Sequence, residues 1–170
     1  FVRPEQLPAV RVRLVRCLRM KKDFTGAETL IGEVLKSAEK ELRAQFEAAL
    51  LYQDWGASGG GENTKMLTTA INGNPKLLVW GWKGLSNRLQ NSIDRGSQEY
   101  LQMFVDSRVN GTATRRTYAL AQTSQEKRKA ELENCEIELI ATATVAVWSF
   151  RIATALYRTI ERDLEVTEIE

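Results

Sequence analysis

Asp23-Phe24-Thr25-Gly26-Ala27-Glu28 is the stretch on which the reading of this chain turns. Thr25 and Glu28 stand in the S/T-x-x-E arrangement, where a hydroxyl and a carboxylate satisfy backbone N–H groups that a helix start leaves without partners. Ala27, Leu30, Ile31, Val34 and Leu35 then recur at helical spacing, which turns one face of this helix inward. Upstream, Pro8 occupies a position a first helical turn tolerates. Val12, Val15, Cys17 and Leu18 form an apolar stripe behind it, and Arg13, Arg16 and Arg19 form another face, before Lys21-Lys22-Asp23 closes the helix. The expected local structure is a pair of antiparallel helices.

Downstream the same grammar continues. A third helix is expected over 39–55, with Leu42, Phe46, Ala49, Leu50 and Tyr52 apolar; the break before it rests only on Lys36-Ser37, and one long helix is the alternative. Gly56-Ala-Ser-Gly-Gly-Gly61 reads as a glycine-rich insertion, and a short helix over 63–71 ends at the turn Asn72-Gly-Asn-Pro75. Leu77–Leu89 is expected to be helical, as are 98–121 and a helix opened by a second capping box, Thr123-x-x-Glu126. Beyond Gly111 there is neither Gly nor Pro. Ile137–Ile152 alternates like a strand, but a lone strand has no partner to pair with. The segment therefore reads as helix, interrupted near 144–147, with a last helix over 148–163.

Composition limits the function. The chain has 170 residues, 43% hydrophobic and 27% charged, which is ordinary for a globular protein with a core of its own. It contains no histidine. Ser-His-Asp and Cys-His catalysis, His-liganded zinc and the usual neutral-pH proton shuttle are thereby excluded. Cys17 and Cys135, far apart and in no CxxC motif, read as two buried apolar side chains in a reducing, cytoplasmic setting. No metal, no cofactor and no catalytic residue is expected. Leu139–Phe150, the longest uncharged stretch near the C-terminus, is too short for the roughly 20 residues a membrane span needs. Phe1 is not an initiator methionine, and the chain is expected to be one helical-repeat domain over 1–170 taken from a longer protein.

The net charge of +2 hides an asymmetry. Residues 1–22 carry seven basic side chains against Glu5 alone, whereas the last ten residues carry five acids against Arg162. A basic head and an acidic tail suit head-to-tail stacking as well as ligand binding.

Setting Val15 and Leu18 against Ala49 and Tyr52 gives a repeat of 34 residues. On these residues the segment 8–71 resembles two units of the tetratricopeptide repeat, whose second helix commonly opens G-D-Y-x-x-A. The resemblance gives Ala27 the small interhelical position, Phe24 the aromatic position, and Leu14 and Leu18 the apolar positions of the first helix. In the next unit Ala49, Tyr52 and Gly56 take the small, aromatic and turn positions. The family's first-helix tryptophan position is Arg11 here, and its closing proline position is Glu39. The resemblance implies an all-α fold of stacked helix hairpins in a superhelix, followed over 76–170 by an irregular helical part. It further implies a concave face lined by the first helices: Arg16, Arg19, Met20, Arg43, Phe46, Leu50 and Gln53. Such an arginine-lined groove suits an acidic peptide, a carboxylate or a neighbouring subunit. The asparagines of the family's chaperone-tail clamp are absent from the matching positions.

The expected function is therefore a non-catalytic protein–protein interaction or scaffold module, with Arg16, Arg19, Arg43, Phe46, Gln53, Trp80 and Trp82 as partner-binding residues. Trp80 and Trp82 lie two apart and cannot share a helix face, so one of them is expected to face a neighbouring segment absent from this chain. The alternative is a basic helical domain for nucleic acid, in which Arg108, Arg115, Arg116, Lys127, Arg128 and Lys129 form a second basic surface. Gly56-x4-Gly61 imitates half a phosphate-binding loop, but Glu62-Asn63 follows where Lys-Ser/Thr is needed.

Overall fold

A computed structural model of the chain describes residues 7–59, 61–145 and 150–169, with side chains described outside 143–156 and 168–169. These residues form eight α-helices and no strand, with a single isolated bridge between Asn74 and Val79. Two compact units result, Phe1–Leu85 and Ser86–Glu170.

In the first unit, α1 (Leu7–Met20), α2 (Phe24–Ser37), α3 (Leu42–Ala57) and α4 (Asn63–Asn72) follow one another through short links. Helix α1 packs on α2 and α3, α2 packs on α3, and α3 packs on α4. Sequential helices that pack against each other across short links run antiparallel, so α1 and α3 point the same way. Lys22 takes a left-handed conformation (φ 62°) and closes α1, with Asp23 N–H donating to Leu18 C=O (3.0 Å) and Lys22 N–H to Arg19 C=O (2.8 Å). That reversal makes Asp23 the helix cap of α2, its carboxylate accepting from Gly26 N–H at 3.0 Å. Thr25, expected as the cap, lies inside the first turn instead.

Helix α3 is the centre of this unit. Ala44, Ala48, Ala49 and Leu51 are fully buried, the small side chains letting neighbouring helices approach closely. Gly56 is not the first residue of a loop, since α3 continues to Ala57. A methyl group at Gly56 would sit 2.6 Å from Leu67 Cγ and 2.9 Å from the Leu67 backbone nitrogen on α4. Gly32, also helical, has nothing within 4 Å of the same position. Alanine favours a helix over glycine by about 1 kcal/mol, so Gly32→Ala is expected to stabilise the fold by up to that amount. Gly56→Ala is expected to destabilise by about 1–3 kcal/mol through overpacking, which exceeds the propensity gain. Urea unfolding of the two variants checks the opposite signs.

Between α4 and α5 (Gly81–Asp94) the chain forms a tight loop where the sequence suggested helix from Leu77. Asn74 and Val79 exchange two backbone hydrogen bonds (2.8 and 3.1 Å), and Gly73 (φ 81°) and Gly81 (φ 65°) pass so close that neither has room for a side chain. Proline at 75 opens a single 3-10 turn, and α5 begins only at Gly81.

In the second unit, a 3-10 turn at Gln98–Tyr100 leads into α6 (Leu101–Leu120), which packs on α7 (Gln125–Val145) and α8 (Phe150–Ile169). Ala119, Leu132, Cys135, Leu139 and Ile160 form its core, with Tyr157 and Leu164 against them. Helix α7 is capped by Ser124, whose hydroxyl accepts from Lys127 N–H (3.4 Å), one residue after the expected Thr123. The Ile/Thr-rich stretch is helical as far as Val145. Thr112 and Thr142 are buried within this unit, each hydroxyl donating to the carbonyl four residues back, at 3.0 and 2.7 Å. The expected break near 144–147 extends, like Trp148, outside the described residues. Helix α8 reaches Ile169, beyond the expected end at 163.

Candidate functional site

The residues expected to bind a partner fall into three groups. Arg16 on α1 and Arg43 on α3 are exposed. Arg19 is not: its side chain is 11% exposed, and it donates to Glu47 on α3 (Nε–Oε1, 2.7 Å) and to Asp54 one further stretch along the same helix. Burial alone would lower the proton affinity of Arg19, and the two carboxylates outweigh it, so its pKa is held above the ordinary value. Arg19 therefore ties α1 to α3. Arg16 precedes it by one turn on α1, and Arg43 precedes Glu47 by one turn on α3. Because these helices run the same way, both free guanidinium groups lie toward the same end of the Arg19–Glu47 bridge.

The aromatic and amide members serve the interior. Trp82 is 1% exposed, meets Phe46 edge-on (centroids 5.1 Å apart, planes at 78°) and donates through Nε1 to Gln53 Oε1 at 3.0 Å. Trp80 is half-buried, and its backbone N–H donates to Gln45 Oε1 at 2.9 Å. Met20 is 70% exposed, and Leu50 half-buried. Phe24 and Tyr52, the aromatic positions of the repeat resemblance, both stack on Trp55, at centroid distances of 5.8 and 6.3 Å.

Two residues with decisive contacts escaped the sequence reading. Gln45 is fully buried, its Nε2 donating to Glu39 C=O and Leu78 C=O, both at 2.8 Å, while its Oε1 holds Trp80 N–H. One side chain thus fastens the 73–81 loop to the start of α3. Glu28 accepts from Tyr52 Oη at 2.7 Å at the edge of a cavity of about 390 Å³ whose wall includes Ile31, Lys36, Lys76 and Val79. Burial, reinforced by Glu28, raises the Tyr52 pKa far above that of a free phenol. Tyr52 is accordingly a neutral hydrogen-bond donor at physiological pH.

In the second unit the three arginines of α6 already have partners. Arg115 bridges Glu131 (3.0 Å) and Glu138 (3.3 Å), Arg116 pairs with Asp163 (2.5 Å), and Arg108 donates to Thr142 Oγ1 (3.2 Å). These contacts join α6 to α7 and α8. The described residues hold no group of three His, Cys, Asp or Glu placed to bind a metal ion, and no described helix is long and apolar enough to cross a membrane.

The cysteines differ from expectation in one case. Cys17 is exposed on α1, whereas Cys135 is buried in the second core. Burial pushes the Cys135 thiol up to about 12. The thiolate is the reactive species, so at pH 8 one thiol per native chain, Cys17, is expected to react with an aromatic disulfide reagent and two after denaturation. Equal rates for both native thiols would contradict this placement.

No protein-family model, no curated protein and no solved structure matches the chain.

Proposed function

We propose that the chain is a non-catalytic interaction module built from stacked helix hairpins of the tetratricopeptide kind, whose α1–α3 surface receives an acidic peptide or a carboxylate-bearing surface. The observation that carries this reading is the pair of exposed arginines, Arg16 and Arg43, at one end of the Arg19–Glu47 bridge. A guanidinium presents a planar fork of donors to a carboxylate, and two of them on adjacent parallel helices form a charged edge that an extended acidic segment can follow. Arg19 contributes by holding the two helices together, its own charge met by Glu47 and Asp54. The stacking arrangement is supported by the packing of α3 on α1, α2 and α4, which joins one hairpin to the next through both helices of the first.

A nucleic-acid surface is less well supported, because Arg108, Arg115 and Arg116 already have partners in α7 and α8. A fluorescein-labelled peptide of alternating Asp and Glu, titrated at low salt and followed by anisotropy, tests the proposal. The expected result is saturable binding that weakens as salt rises and falls at least about tenfold, about 1.4 kcal/mol, in Arg16→Glu/Arg43→Glu. Absence of binding at low salt, or an unchanged affinity in the double variant, would overturn it.

A further inference from the structure

Two surface stripes, one in each unit, are apolar at one end, charged at the other, and matched in spacing. On α1, Leu7, Val10 and Leu14 are 42%, 42% and 51% exposed, and the same line continues through exposed Cys17 to exposed Lys21 in the turn just past the helix end. On α7 the outward line runs Glu126, Ala130, Glu133, Ile137 and Ile140, all exposed, with Ile137 at 65% and Ile140 at 52%. Single exposed apolar residues need no explanation. A heptad-like series of them is different, since it forms a seam on which a second helix can lie.

Both lines advance by alternating steps of three and four residues, so they can be aligned without slippage. In antiparallel orientation Leu7 meets Ile140, Val10 meets Ile137, Cys17 meets Ala130 and Lys21 meets Glu126. Leu14 falls opposite Glu133, beside Arg13, which is exposed on α1 and provides the opposite charge. The parallel alignment fails, because it sets Leu7 against Glu126 and Lys21 against Ile140. Both seams are exposed, and their matched spacing and opposite end charges fit the seam of one copy to that of another.

We propose that α1 of one copy docks antiparallel on α7 of another, through the Leu7–Lys21 and Glu126–Ile140 seams. The contact is heterologous, joining different faces, so each copy carries one donor seam and one acceptor seam. It lies on a different side of α1 from Arg19, whose side chain faces α3. The contact sets Lys21, beside the arginine-rich α1, against Glu126 at the start of α7.

Sedimentation velocity tests this with the whole chain. The wild-type protein is expected to pass from monomer to dimer or larger species as its concentration is raised to about 100 µM, the range for a small interface. Val10→Glu/Leu14→Glu destroys only the α1 seam and Ile137→Glu/Ile140→Glu only the α7 seam, so each variant alone is expected to remain monomeric. Mixed in equal amounts, they retain one intact seam of each kind and are expected to give a 1:1 complex that grows no further. All four side chains are exposed, so helical circular dichroism is expected to persist. Should either double variant lose it, Lys21→Glu serves instead, weakening association at least about threefold, with Glu126→Lys in the same chain restoring it. A wild-type monomer at every concentration, association of either variant at wild-type strength, a mixture that stays monomeric, or a charge swap without restoration would each overturn the proposal.

Discussion

Replacing Arg19 with alanine is expected to remove about 3–5 kcal/mol from the stability of the first unit, the range for breaking a buried ion pair from one side. Glu47 is 7% exposed and cannot recover its hydration when the guanidinium is gone. Asp54, with a side chain 39% exposed, can turn to water, so most of the penalty lies with Glu47. A small domain has about 5–15 kcal/mol in total, and α1 is held mainly by α2 and α3. The variant should therefore lose most of its urea resistance. The distinguishing comparison is Arg19→Met/Glu47→Leu, which removes both charges and keeps the volume. That double variant is expected to return close to wild-type stability, because the attraction of a buried pair does little more than offset its desolvation. If the double variant were as unstable as Arg19→Ala, the attraction within the pair, rather than the orphaned charge of Glu47, would be the larger contribution.

The second large effect is expected at Gln45. Gln45→Leu keeps the volume but leaves Trp80 N–H without its acceptor and the carbonyls of Glu39 and Leu78 without their donor. Unmet buried polar groups cost about 1–3 kcal/mol each, and partial access of water to the loop reduces the sum, so a loss of about 2–4 kcal/mol is expected. Gln45→Glu preserves an acceptor for Trp80 but turns carboxylate oxygen toward two carbonyl oxygens, and should be no better. Tryptophan emission gives the local readout, since the 73–81 loop leads directly to Trp80 and Trp82. A red shift before global unfolding, together with faster exchange of the Trp80 amide, is the expected result. Unfolding at the wild-type urea midpoint would show that the two glycines and the Asn74–Val79 bridge close the loop unaided.

The all-helical architecture was legible because its signals are local. Apolar positions at helical spacing in 27–35 and the absence of Gly and Pro beyond Gly111 do not depend on what lies far away in the chain. The pairing of α1 with α2 followed from the short link at 21–23. Details set by backbone geometry were harder. Asp23 and Thr25 are equally good caps by residue type, and the left-handed Lys22 decided between them. Gly56 looked like a loop residue because glycine breaks helices in isolation, whereas here it makes room for Leu67 across a helix crossing.

The candidate site was legible as residue types but not as roles. Arginines on the first and third helices could be counted, yet nothing local says that Arg19 turns inward while Arg16 and Arg43 face water. That division is made by Glu47 and Asp54, whose one-face spacing on α3 was the available signal. Gln53 and Phe46 were read as groove residues, but Trp82 occupies both. Gln45 gave no sequence signal, since its three partners are main-chain atoms from two segments.

The most direct test of the central claim, that α1 and α3 present a free arginine edge to an acidic partner, is NMR shift mapping. The isotope-labelled chain would be titrated with the Asp/Glu peptide, and both the backbone amides and the arginine Nε–H signals followed. The Arg16 and Arg43 side-chain signals and the α1 and α3 amides around them are expected to move together with one affinity, while Arg19 Nε–H, held by Glu47, stays in place. Shifts confined to α6–α8, or no shifts at saturating peptide, would contradict it.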